Sequence, residues 1–163
     1  MSVKQIIEQL EKIYQLQKSL LTISKEKTEL IKNNDIDQFN QLLMTERKHV
    51  QAIEQLESKR MNLTDEFFEK EAPESERTIS QLIELVKDEE ERKQLQHIFE
   101  KLIFVLADLK QQEKLNQDLT QQSLQFIDLS LELLQPHLNK NLNYGQGSGQ
   151  QTKRQSSVFD SKA

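Results

Sequence analysis

Apolar residues return every three or four positions from the start of the chain: Val3, Ile6, Leu10 and Ile13, then Leu20 and Ile31, with Ile7, Tyr14 and Leu21 beside them. Those intervals mark one face of an α-helix. The pattern stops at KNNDID, residues 32–37. Asn33 and Asn34 tolerate the left-handed conformation that ends helices, and Asp35 or Asp37 can cap a second helix by accepting its free N–H groups. A second stripe follows at Ile36, Phe39, Leu43, Val50, Ile53, Leu56, Leu63 and Phe67. Two amphipathic helices joined by a short link predict an antiparallel hairpin.

In EKEAPESER, residues 69–77, Pro73 disfavours helical geometry at Ala72 and closes the second helix. Ser75 is the expected cap of a short helix over Thr78–Lys87, which carries Ile79, Leu82, Ile83 and Val86. KDEEERK, residues 87–93, reads as a solvated face or a helix restart. From there to Leu138 only Pro136 interrupts, and no glycine does. That predicts one helix of roughly 50 residues, on the order of 75 Å long. The expected fold is all-α: an elongated antiparallel hairpin, a short helix and a long C-terminal helix in a three-helix, coiled-coil-like bundle. Past Asn139 the composition turns to Gly, Gln, Ser and Asn, so residues 1–138 read as the folded domain and 139–163 as a flexible tail.

The long helix has two faces to hide. At about 100° per residue, Leu124, Ile127, Leu131, Leu134 and Leu138 share an arc of roughly 80°, and Phe126, Leu129 and Leu133 share another roughly 140° away. A helix on one side of a bundle needs one such stripe. The 124/127/131 face is expected to be intramolecular core. The Phe126 face is the candidate for a twin subunit or a partner helix anchored at i, i+3 and i+7. Residues 102–109 are apolar almost all round and are expected to be the best-buried section, touched by both hairpin helices. In KQQEKLNQDLTQQ, residues 110–122, Gln112 and Asn116 fall at seam positions, which predicts loose packing or exposure there.

Composition narrows the function classes. The 163 residues leave room for one domain; 35% are hydrophobic, 30% charged, and Trp is absent. So little apolar content, arranged so periodically, suits narrow buried stripes rather than a thick core. The net charge of −5 argues against a general nucleic-acid binder. It is uneven: Lys140, Lys153, Arg154 and Lys162 against Asp160 make residues 139–163 +3, leaving −8 on the rest. Without cysteine there is no disulfide framework or cysteine nucleophile, which fits a cytosolic protein. The first 31 residues intersperse Lys and Glu unlike a signal peptide, and the longest apolar run, LIFVLA at 102–107, is too short for a membrane span.

Little points to catalysis. Glu46 and His49 form one E-x-x-H, the spacing of di-iron helix bundles, but those need a second such pair and two more carboxylates. His97 follows Gln94 rather than an acid. No P-loop, dinucleotide fingerprint or serine elbow appears. Neither an enzyme nor a cofactor is expected.

Three stretches resemble the FlgN family of flagellar export chaperones. The hairpin NNDIDQFNQLLMTERKHVQAIEQLESKR, residues 33–60, is similar to the family's turn, with Glu46 and a closing Arg60. Asn116 stands where the family places the second of two asparagines; Glu113 replaces the first. Most specific are LQPH at 134–137 and YGQGSG at 144–149. The resemblance spans about residues 3–149. It implies a cytoplasmic chaperone that caps the C-terminal helical segments of the hook–filament junction proteins FlgK and FlgL and brings them to the export gate protein FlhA. Leu124, Phe126, Ile127, Leu129, Leu131, Leu133, Leu134 and Leu138 become the client-binding candidates, and Tyr144 with Gly145 the gate-docking candidates. A packing role for Tyr144, folded back on the bundle, stays open. So does a short linear motif at Val158–Phe159, and so does a homodimer when free. The alternative is a structural coiled-coil scaffold that self-assembles through the same stripes.

Overall fold

The computed structural model describes the backbone of residues 3–144 and the side chains of 3–135. It is all-α: α1 Val3–Lys32, α2 Ile36–Glu71, α3 Ile79–Leu85 and α4 Glu89–Tyr144. By packing, the chain divides into two units, Met1–Gln122 and Ser123–Ala163.

The local chemistry explains the joints. Asn34 takes a positive φ of 53°, and the Asp35 carboxylate accepts from Gln38 N at 3.1 Å to start α2. Ala72 closes α2 just ahead of Pro73, its N–H bonded to Phe68 O at 2.9 Å. The cap of α3 is Thr78, which accepts from Gln81 N at 3.1 Å. It is not Ser75, whose N–H is held by Ala72 O at 3.1 Å in the turn before it. KDEEERK proves to be a restart, with Asp88 accepting from Glu91 N at 2.8 Å. The Arg92 guanidinium reaches back to Val86 O with two N–H groups, at 2.6 and 3.0 Å, and so closes α3 on α4.

Within the first unit α1 is the central helix. Eleven of its residues are buried against two on α2, as expected of a helix gripped from two sides. α2 returns antiparallel to it through the three-residue turn. α4 runs parallel to α1 in a fixed register: the cross-links Ser24–Glu113, Lys27–Glu113 and Thr28–Asn116 are separated by 89, 86 and 88 residues. Both seams keep heptad steps, Val3, Ile6, Leu10, Ile13, Leu20, Ser24 and Lys27 on α1, and Leu95, Ile98, Leu102, Val105, Leu109, Gln112 and Asn116 on α4.

The apolar core fills one end of this unit. Val3, Ile6, Leu10 and Ile13 meet Phe68 of α2, Leu82 and Val86 of α3's region, and Leu95, Ile98, Leu102 and Val105 of α4. Phe68, Leu82 and Leu95 are completely buried. The expectation for residues 102–109 fails: only Leu102 and Val105 are buried, while Ile103, Phe104 and Leu106 are exposed, Phe104 at 70%. α4 packs on one side of α1, so a helix apolar all round still hides a single arc.

α4 continues past Leu138 to Tyr144. Pro136 is inside these bounds and offers no N–H to the Glu132 carbonyl, so one intrahelical bond is lost there. The tail assigned to 139–163 lies outside the described residues from 145 on.

Candidate functional site

At the turn end of the hairpin the α1–α4 seam changes from apolar to polar. Ser24 and Lys27 occupy heptad positions where the earlier turns place Ile and Leu, and Gln112 and Asn116 do the same on α4. Asn116 is only 4% exposed. Its amide donates to Ser24 O at 2.8 Å and to Ser24 Oγ at 3.1 Å, and its carbonyl oxygen accepts from the Thr28 hydroxyl. Gln112 donates to Thr28 Oγ1 at 2.6 Å, and Ser24 Oγ donates to Glu113 at 2.7 Å. Most of residues 110–122 are exposed, as expected, but Gln112 and Asn116 are not loose: they form a hydrogen-bonded seam with α1. Buried amides in such a seam fix register, because a slip leaves them unpaired in a low-dielectric setting.

Lys27 ties three helices together. Its side chain is 7% exposed, with Nζ 2.7 Å from Glu46 Oε2 on α2 and 2.8 Å from Glu113 Oε1 on α4. Burial alone would pull its pKa down, but the hydrogen bonds and charges of Glu113 and Glu46 outweigh that and hold it above the ordinary lysine value. Glu46 is thereby committed to Lys27, and His49 Nδ1 lies 2.9 Å from Thr45 O. Among the described residues no group of three or more His, Cys, Asp or Glu could hold a metal ion. The sequence signal for this seam was a change of residue type at the heptad positions: after Leu20 they hold Ser24 and Lys27 rather than apolar residues, with Thr28 and the buried Ile23 beside them, in step with Gln112 and Asn116 on α4.

In Ser123–Gln135 no residue is buried. Phe126 is 71% and Leu133 66% exposed; Leu124, Ile127, Leu129, Leu131 and Leu134 are each just over half exposed. Both arcs of the helical wheel are therefore open, and the 124/127/131 face is not intramolecular core. Within the first unit the offset of 88 sets Lys32, the last residue of α1, opposite residue 120 of α4. Asp128 and Glu132, one turn apart, form an acidic edge between the two arcs. Leu138 and Tyr144 fall on α4 beyond the described side chains, and Gly145 lies outside the described residues.

The FlgN protein family matches residues 1–152, nearly the whole chain. The chain belongs to the FlgN family. A relative, the protein named "Uncharacterized protein YvyG" from Bacillus subtilis (strain 168), is 37% identical over 165 positions, covering all of both chains. No solved structure matches. FlgN proteins are flagellar export chaperones, and the match includes both the open helix 124–135 and the Tyr144–Gly149 stretch. No helix among the described residues is long and apolar enough to cross a membrane.

Proposed function

We propose that this FlgN protein is a cytoplasmic chaperone of flagellar type III export. Its clients are the C-terminal helical segments of the junction proteins FlgK and FlgL, which it holds back from premature assembly and delivers to FlhA. The observation that carries the reading is the open apolar helix Leu124–Leu134, with seven large apolar side chains at least half exposed and two acids among them. Fully burying one such side chain contributes about 1.5–3 kcal/mol. Half-exposed, seven of them leave on the order of 5–10 kcal/mol of gross transfer free energy unused. An amphipathic client helix recovers it by laying its own stripe against Phe126, Leu129 and Leu133 on one side or Leu124, Ile127, Leu131 and Leu134 on the other, with Leu138 extending the second row. In this reading residues 1–138 are the chaperone domain. The segment from 139 carries Tyr144 and Gly145 as the FlhA-docking element, so that client and gate are engaged through separate residues. No cofactor takes part.

Size exclusion with light scattering tests this, with and without a C-terminal fragment of FlgK or FlgL. A chaperone forms a complex of fixed stoichiometry with the fragment. A scaffold that self-assembles through the same stripes grows in mass with concentration and ignores the fragment. A discrete homodimer of the free chain that dissociates on fragment binding belongs to the first outcome.

A further inference from the structure

An open helix with seven exposed apolar residues is an uncomfortable state for a free protein, since patches beyond a few hundred Å² drive association. The same unit contains a segment suited to cover it. Residues 153–162, KRQSSVFDSK, hold Val158 and Phe159, the only large apolar residues after Tyr144. Around them stand Lys153, Arg154 and Lys162 against the single Asp160. The helix between 123 and 135 has the opposite balance, with Asp128 and Glu132 and no basic residue. Because those acids run along the border of the apolar arcs, a peptide seated on Leu129 and Leu133 brings its cations beside them.

The lengths agree. Along α4 from Tyr144 back to Leu133 is about 17 Å, and back to Phe126 about 27 Å. From Tyr144 to Phe159 the chain has fifteen links, beginning with GQGSGQQT at 145–152. A chain of that kind has a root-mean-square span of roughly 21 Å, well under its fully extended reach of about 50 Å. Phe159 can therefore meet any position from Phe126 to Leu133 without the link being taut. A short tether of this sort holds its end at an effective concentration on the order of millimolar. A contact of only 0.1–1 mM intrinsic affinity is then made between half and nine-tenths of the time.

We infer that segment 153–162 docks on the helix face Phe126–Leu134 of its own chain, Val158 and Phe159 against the leucines and the basic residues beside Asp128 and Glu132, as an internal stand-in for the client. This rests on the functional reading above and adds a regulation to it. The tail keeps the site covered in the free protein, and a client of higher affinity displaces it. Because Tyr144 and Gly145 lie at the root of that tail, displacement by the client also frees the segment next to the gate-docking residues.

The chain has no cysteine, so a single Ser161→Cys substitution accepts one spin label next to the apolar pair without altering it. In the full chain, the label is expected to broaden the backbone amide signals of Phe126–Leu134 and to leave those around Ile6–Ile13 sharp. Adding Val158→Asp and Phe159→Asp is expected to abolish the broadening and to tighten binding of a FlgK C-terminal fragment about two- to tenfold. No broadening at Phe126–Leu134, or broadening that survives the two Asp substitutions, overturns the inference. Broadening that appears only between labelled and unlabelled copies also overturns it and makes a second copy the occupant. The two readings fail separately: fragment capture without tail broadening sinks the inference alone, whereas tail broadening without fragment capture sinks the chaperone reading.

Discussion

Replacing both Phe126 and Leu133 with Asp separates a client surface from ordinary core. In the free protein these side chains are already 71% and 66% exposed, so the folded state loses little when they change. Exposed positions of this kind move stability by about 0.5 kcal/mol or less each. A client complex loses far more. Covering roughly two-thirds of a Phe or Leu is worth about 1–2 kcal/mol, and a carboxylate in its place adds a desolvation penalty. Together the pair should cost at least about 3 kcal/mol, which at 1.4 kcal/mol per factor of ten is more than a hundredfold in Kd. Titration calorimetry with a FlgK or FlgL C-terminal fragment reads the affinity, and circular dichroism with a thermal melt reads the fold. The expected result is lost capture with helicity and Tm kept. Loss of most of the helical signal, or capture within threefold of wild type, refutes the assignment.

Three further outcomes follow from the seam and the helix end. Lys27→Met strands Glu46 and Glu113 against each other; because both carboxylates keep some access to water, the cost is about 1–3 kcal/mol, less than for a sealed pair. Since the folded Lys27 pKa is raised, its contribution is complete below the unfolded lysine value near 10.4 and is lost as pH climbs through the folded value. The gap between wild type and Lys27→Met in urea melts should therefore stay level from about pH 7 to 9 and close only in stronger alkali; a gap that changes already across pH 7–9 contradicts this. Asn116→Ala removes the buried amide bonds to Ser24 O and the Thr28 hydroxyl, which keep each other and Gln112 as partners, and should lower the urea-derived stability by about 1–2 kcal/mol, with a change under 0.5 kcal/mol speaking against a specifying seam. Tyr144→Ala should leave fragment binding unchanged while weakening capture by the FlhA cytoplasmic domain, and equal loss of both would end the division of labour.

The helices and the hairpin turn were legible because their signals are local: the 3.6-residue rhythm, Asn34 in the left-handed region, Asp35 as cap, Pro73 after Ala72. The third helix's cap was not. Ser75 and Thr78 carry the same chemistry, and only the turn bond from Ser75 N to Ala72 O decides between them. Burial was read least well. Residues 102–109 show apolar character in every direction, yet how much of it is hidden depends on how many neighbours α4 has, and periodicity does not count neighbours. The same ignorance made the 124/127/131 face look like core. That those side chains are more than half exposed is a property of the folded chain, not of the periodicity. The polar seam was half visible: Gln112 and Asn116 stood out on α4, but their partners Ser24, Lys27 and Thr28 looked like an interruption of a stripe rather than its continuation in another chemistry.

Amide hydrogen exchange of the full chain, with and without a FlgK C-terminal fragment, tests the central claim most directly. Fragment binding should slow exchange across Leu124–Leu138 by tenfold or more and leave the core around Leu10, Phe68 and Leu95 unchanged. Slowing confined to the bundle, with 124–138 exchanging as before, would place the client elsewhere and contradict the account.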